Sequence, residues 1–476
     1  MRRKRSLRWF LLIVVSALFL SGCMPEIYTH ASTPSTIIAD NETHIAGRYA
    51  FVDVQVLDEY GLPVSGEDVS FYVDGAFLGE ATTDTSGVAR IGFFSPSEKT
   101  YTFTAVAGGV SRSFDVSFTK PKWLFIVWMA ADNNLYYYSE DDLSEMRNAS
   151  GSVSVVVVYD GVEIGDGVLV LDENGNWQAV VGMVGIDFNS GSYTNLEAWL
   201  EMILNQFDAD RYALVIWDHG SAWIGDSYYI STKAVGFDET RGTAIAVADL
   251  RKALENALSG DKLDILGFDA CLMGSLEVIY ELRNTADYIV ASSFNEPAEG
   301  WDYSFLGEIA SDSTPLDVAS MIVDSYREYY SSYDYYRQIG LSLAVYDTSQ
   351  VEVFVSDLNL FISDLKADLS KVDAVYSDVV KSYIDDYNQT VLVDLGDFID
   401  KWVSSRITAA PDPRSVVVYS YGEISYSEMA RQPLSSPISI FMPESMLCYQ
   451  DYWEDYQTLS FPYDTQWDEF LEYWLN

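Results

Sequence analysis

Four apolar runs, Trp123 to Ala130, Val153 to Tyr159, Tyr212 to Trp217 and Leu263 to Phe268, constrain this chain more than any other feature. Their length is that of a strand, and they lack the polar-apolar alternation of a sheet with one face in water. Such runs belong to strands covered on both faces, the situation of a parallel sheet between helices. Helical patterns fall between and after them. Thr194 and Glu197 read as a capping box opening a helix to about Phe207, and Ala248 to Leu258 reads as another. A third is expected over Met273 to Arg283, and Phe354, Val355, Leu358, Phe361, Ile362, Leu365 and Leu369 share one helical stripe. Further strands are expected at Tyr288 to Ser292, Ile339 to Tyr346, Ser415 to Tyr419 and Ile438 to Met442. Residues 120–476 therefore read as an α/β domain with a C-terminal extension.

What precedes it has a different pattern. Short alternating runs at Tyr49 to Val56, Val69 to Val73, Val88 to Phe93, Thr100 to Ala107 and Ser113 to Phe118 predict a small all-β sandwich over residues 47–119. The stretches Asp58-Glu59-Tyr60-Gly61-Leu62-Pro63-Val64 and Thr83-Asp84-Thr85-Ser86-Gly87-Val88-Ala89 look like those of bacterial immunoglobulin-like domains, which implies a spacer or adhesive module. Residues 23–46, with Pro25, Pro34 and many Ser and Thr, read as a tether. At the start, Arg2, Arg3, Lys4, Arg5 and Arg8 precede the apolar run Trp9 to Leu20 and then Ser21-Gly22-Cys23. That run is short for a spanning helix and suits a signal peptide over residues 1–22. The pattern resembles the lipobox of bacterial lipoproteins, which implies a lipid on Cys23 and an extracytoplasmic, membrane-anchored protein.

The formal net charge of -44 over 476 residues argues against nucleic acid as a partner and for attraction of cations and basic peptides. The acidic stretch Ser139-Glu140-Asp141-Asp142 lacks EF-hand spacing, and no His or Cys cluster has zinc-ligand spacing. The Tyr-rich stretch from Tyr326 to Tyr336 reads as a helix end on the surface.

Chemistry narrows to two residues. Of three histidines, His30 and His44 fall in the tether, which leaves His219 at the end of an apolar strand and followed by Gly220. Cys271 occupies the matching place after the next apolar strand, in Phe268-Asp269-Ala270-Cys271-Leu272-Met273-Gly274. Reactive groups of open α/β sheets gather beyond the carboxyl ends of the strands, and an imidazole beside a thiol can take its proton and pass it to a leaving amine. Pairing of Cys271 with Cys448 would remove the thiol, and a buried structural cysteine is the plain alternative.

Several blocks in order resemble the clostripain family of caspase-like cysteine peptidases: Trp123 to Leu135, Trp217-Asp218-His219-Gly220, Gly236-Phe237-Asp238-Glu239, Phe268 to Gly274, and Ser292 to Tyr303. The resemblance implies a caspase-like α/β sandwich with a mostly parallel sheet. It implies a His219-Cys271 dyad, with no third member evident in the sequence, and an oxyanion hole from the N–H groups of Gly220 and Cys271. It also implies cleavage after Arg or Lys held by Asp269 and Glu299, and self-processing, for which Lys233 is the preferred site. No cofactor is required on this reading, though the resemblance raises calcium as a ligand. The rival readings are a surface binding or adhesion lipoprotein that keeps the fold without turnover, and, more weakly, a carboxylate-based hydrolase.

Overall fold

A computed structural model describes residues 32–161, 166–184, 188–225, 234–331, 340–404, 410–424 and 432–476. The first unit is a β-sandwich. A three-stranded sheet (Thr36–Ile38, Tyr49–Leu57, Val88–Phe94) faces a five-stranded one (Glu42–Ile45, Val110–Thr119, Lys99–Ala107, Asp68–Val73, Ala76–Thr82). Alternation in the sequence produces it: along Tyr49–Leu57 the residues Ala50, Val52, Val54 and Val56 are buried and those between them are half-buried. Each such side chain lies on the facing sheet, where full burial of a Val contributes roughly 1.5–3 kcal/mol. The sandwich reaches further back than residue 47, because Thr36–Ile38 pairs with residues 55–57 and Glu42–Ile45 runs beside Val116 to Thr119. The expected tether is shorter by that amount. Only Ile37 is buried in the first of these edge strands, so no apolar periodicity announces it.

The sandwich is seated on the α/β domain. Arg48 donates to the carbonyls of Ala149, Ser150 and Val153 at 2.6–3.0 Å, and Ser154 Oγ donates to Ala46 O at 2.7 Å. Phe94 meets Phe207 with ring centroids 5.9 Å apart. His44, from the sandwich, lies between Glu173 of the α/β domain and Glu42, at 3.0 Å from the latter. Hydrogen bonds to Glu173 and then Glu42 raise its pKa from 6.5 to about 9. The stabilisation is therefore complete below pH 6.5 and lost as pH rises through about 9. The midpoint of thermal unfolding should fall across that window, and His44→Gln should flatten the fall.

The second unit is built on a ten-stranded sheet. Its strands are β1 (Trp123–Ala131), β2 (Val153–Gly161), β3 (Gly167–Leu171), β4 (Trp177–Val184), β5 (Arg211–Trp217), β6 (Leu263–Asp269), β7 (Ala286–Ala291), β8 (Leu341–Asp347), β9 (Val417–Ile424) and β10 (Gln432–Pro433). They lie in the order β4-β3-β2-β1-β5-β6-β7-β8-β9-β10. The strands from β2 through β7 in that order are mutually parallel, and the outer strands on both sides are antiparallel. All of β1 is buried because its two faces feed two cores. Leu124, Ile126, Trp128 and Ala130 join one, and Trp123, Phe125, Val127 and Met129 join the other. Helices α2 (Tyr193–Gln206), α3 (Val247–Leu258), α4 (Leu276–Leu282) and α6 (Val351–Ala367) cover the first face, and α1 (Tyr136–Met146) and α5 (Pro315–Ser331) cover the second. This is the expected caspase-like sandwich.

Local details depart from expectation. Ser192, not Thr194, precedes α2, with no side-chain cap, and Glu197 accepts from Asn256 instead. Helix α4 begins at Leu276, capped by Ser275, so Cys271 does not sit at a helix start. The C-terminal extension is integral. A small sheet of Lys381–Ile384, Thr390–Asp394 and Ser439–Phe441 lies against α4, where Phe441 N donates to Glu277 Oε1 at 2.8 Å.

Candidate active site

Strands β5 and β6 are parallel neighbours, with Trp217 opposite Asp269. His219 and Cys271 each lie two residues beyond that pair, so register alone brings them to one end of the sheet. Both line a cleft with Leu135, Trp217, Asp218, Asp269, Ala270, Glu296, Pro297, Ala298 and Gly300. Gly220 permits the approach: a Cβ there would fall 2.2 Å from Cys271 O and 2.8 Å from Cys271 N. Just after the thiol, Leu272 takes φ +64°, and its N–H donates to Phe294 O at 2.9 Å. The left-handed turn costs about 1–2 kcal/mol in a non-glycine residue and lets Cys271 turn out of the strand line.

The imidazole is half-buried. Its Nε2 meets Asn134 Oδ1 at 2.5 Å, and its ring stands edge-on to Phe237 at 5.9 Å. Burial lowers its pKa. Asp218, next to it, turns elsewhere: it accepts from Asn133 Nδ2 at 2.8 Å and from Phe237 N. Cys271 and Cys448 are both free thiols. Burial pushes the Cys271 thiol up to about 12, with the Glu296 charge acting in the same direction, while N–H groups of Glu296 and Gly220 act against it. The Glu296 N–H lies 3.2 Å from Sγ. At neutral pH the resting pair is therefore thiol and neutral imidazole.

Two buried carboxyls form the cleft's inner wall. Asp269 accepts from Trp301 N at 3.1 Å and from Tyr303 OH at 2.9 Å, so it does not serve as a cap for the following turn. Burial raises its pKa to about 7. Glu296 stands beside it, raised well above the usual carboxylate range by burial and then by the Asp269 charge. No hydrogen bond of ordinary geometry reaches either Glu296 carboxyl oxygen among the described residues, although the Asp269 carboxyl and the Trp301 side chain lie close enough to act on its pKa. The wall residue from this loop is Glu296, whereas Glu299, expected from the sequence, is absent from the lining. Three positions separate two glutamates in one loop, and only the fold says which turns inward. Tyr326 and Tyr330, expected at a surface, are buried beneath it, and Tyr330 OH holds Gly300 O at 2.6 Å.

A sequence profile of the clostripain family matches residues 127–474, which takes in both strand ends, the acidic wall and the C-terminal extension. The chain belongs to the clostripain family. Clostripain of Hathewaya histolytica is 29% identical over 113 residues, a stretch spanning 22% of this chain and 22% of clostripain. An inactive zymogen C11 protease from Parabacteroides distasonis superposes with a TM-score of 0.57 at 21% identity, covering 73% of this chain and 99% of that one. A secreted C11 cysteine protease from Bacteroides thetaiotaomicron, solved with an irreversible peptide inhibitor, gives 0.53 at 20% identity, covering 73% and 100%. These likenesses carry the fold.

Lys233, the expected self-processing site, and Cys23, the expected lipidation site, lie outside the described residues. In the acidic stretch of α1, Asp142 turns inward to accept from Trp217 Nε1 at 2.5 Å. No group of three or more His, Cys, Asp or Glu among the described residues is placed to hold a metal ion. In this family frame Gly220→Ala should disrupt the site, since the new Cβ meets backbone that cannot swing away. The expected result is a loss of ~10²-fold in kcat with about 1–3 kcal/mol of stability, read by kinetics and thermal unfolding.

Proposed function

We propose that this protein is a cysteine endopeptidase that cleaves after Arg or Lys, with Cys271 as nucleophile and His219 as its general base and acid. The observation that carries the reading is the placement of a thiol and an imidazole at register-paired strand ends, on a cleft whose wall is two buried carboxyls. A guanidinium or ammonium entering there would meet Asp269 and Glu296, and its charge would favour the ionised form of both.

The chemistry follows from the atoms present. As Sγ attacks the carbonyl carbon, its proton passes to His219, so neither partner need be charged at rest. The N–H groups of Gly220 and Cys271 would hold the oxyanion; the Gly220 N–H already donates toward the sulfur. The imidazolium then protonates the departing amine, and water hydrolyses the acyl-enzyme with His219 as base. A lipid on Cys23 would hold the enzyme at an extracytoplasmic membrane face, a reading supported by the basic, apolar and small-residue pattern of residues 1–23. Self-processing after Lys233 fits the same picture, because the next residue, Ala234, is fixed beside the histidine loop through Ser221 N, 3.0 Å from its carbonyl.

The test uses purified protein beginning after Cys23 and fluorogenic peptides ending in Arg, Lys or Asp. Cleavage of the Arg and Lys peptides, with the Asp peptide intact, is expected. Failure to cleave any of them, even after a trace of trypsin and added calcium, would turn the reading toward a binding protein that retains the fold.

A further inference from the structure

The sequence offers His219 no third partner, yet the structure supplies one. Asn134 Oδ1 lies 2.5 Å from Nε2 of the ring. The residue stands in the short connection between β1 and α1, and its two neighbours tie that connection to the site from both sides. Asn133 donates through Nδ2 to Ala130 O at 2.9 Å, to Asp218 Oδ1 at 2.8 Å and to Phe237 O at 3.0 Å, and its own Oδ1 accepts from Leu135 N at 2.9 Å. Leu135 lines the cleft. Asn134 is thus carried on a loop pinned to the strand ends that bear the imidazole.

We propose that Asn134 is a positioning residue for His219, fixing the ring's orientation and its tautomer so that Nδ1 is the nitrogen that exchanges a proton with Cys271. An amide oxygen can only accept, so Nε2 must carry hydrogen in both the neutral ring and the imidazolium. The lone pair of the neutral ring is then confined to Nδ1. The amide carries no charge, and it therefore aligns the ring without the increase in proton affinity that a carboxylate would bring. This agrees with a ring whose pKa is shifted by burial alone. The other titratable groups on the same cleft are Asp218, Asp269, Cys271 and Glu296, and Asp218 is committed to Asn133 and Phe237.

The inference rests on the dyad reading and is separable from it. Parent, His219→Ala, Asn134→Ala and Asn134→Asp would be compared for kcat, KM, the pH profile of kcat/KM, and thermal unfolding. Asn134→Ala should lower kcat by ~10- to 100-fold, part of what a positioned acid-base group contributes, with KM nearly unchanged. Asn134→Asp keeps an acceptor of the same shape. It should recover most of the rate and move the acid limb of the profile to higher pH, because a carboxylate stabilises the imidazolium and the resting ring must be neutral to take the thiol's proton. A kcat for Asn134→Ala within about twofold of the parent would overturn the proposal. So would equal losses in the two variants with the parent's pH profile, which is the signature of a loop held only for its shape. If His219→Ala retains the parent's rate, the dyad itself fails and this proposal falls with it.

Discussion

Cys271→Ala is expected to lower kcat/KM on an Arg peptide by ~10⁴-fold or more, and His219→Ala by ~10³-fold or more, with the double variant no worse than the first alone. In the proposed mechanism the two side chains act in one proton transfer, so removing either removes the step, and their effects cannot add. The thermal midpoint should move little, because both side chains are half-buried at a cleft and neither lies at the centre of a core. Alkylation gives a second readout. With a thiol held up to about 12, the parent should react slowly with a small neutral reagent at pH 7, and faster with a peptide reagent ending in Arg or Lys that brings its own cation to the wall. A neutral reagent that labels Cys271 as fast as the basic peptide would show that the pocket plays no part in presenting the thiol.

The parts of this site that could be read from the sequence are those fixed by strand geometry. A covered strand must be apolar throughout, so β1, β2, β5 and β6 are visible as runs, and the residues just past β5 and β6 become candidates by position. What the sequence concealed depends on direction. Glu296 and Glu299 share a loop, and their roles are set by a turn in which Gly300 adopts φ +62° and Gly300 N donates to Pro297 O. Asn134 sits within a block quoted for the family, but a hydrogen bond across 85 positions has no local signature. The edge strands of the sandwich were hidden for a different reason. Thr36–Ile38 buries one residue and Ala76–Thr82 buries none fully, and a strand that buries so little has no pattern to show.

Glu296→Gln should cost ~30- to 10³-fold in kcat/KM for peptides ending in Arg or Lys, the equivalent of about 2–4 kcal/mol for a charge pair broken in a buried pocket. Asp269→Asn should behave similarly, and Glu299→Gln should change the value by less than about threefold, as expected of a half-exposed charge outside the wall. The pH dependence has a definite sign. Asp269 titrates near 7 and burial raises Glu296 well above the usual carboxylate range, so acidification below pH 7 neutralises Asp269 and weakens the wall's hold on a cation. KM for a basic peptide should fall as pH rises through about 7, and in Glu296→Gln that fall should shrink. Stability should run the other way. A carboxyl whose folded pKa is raised destabilises the fold once pH exceeds its unfolded value, so replacing Glu296 by a neutral amide should raise the thermal midpoint at neutral pH while activity drops. A variant that loses both stability and activity would instead mark Glu296 as a structural group, and the specificity wall would then rest on Asp269 alone.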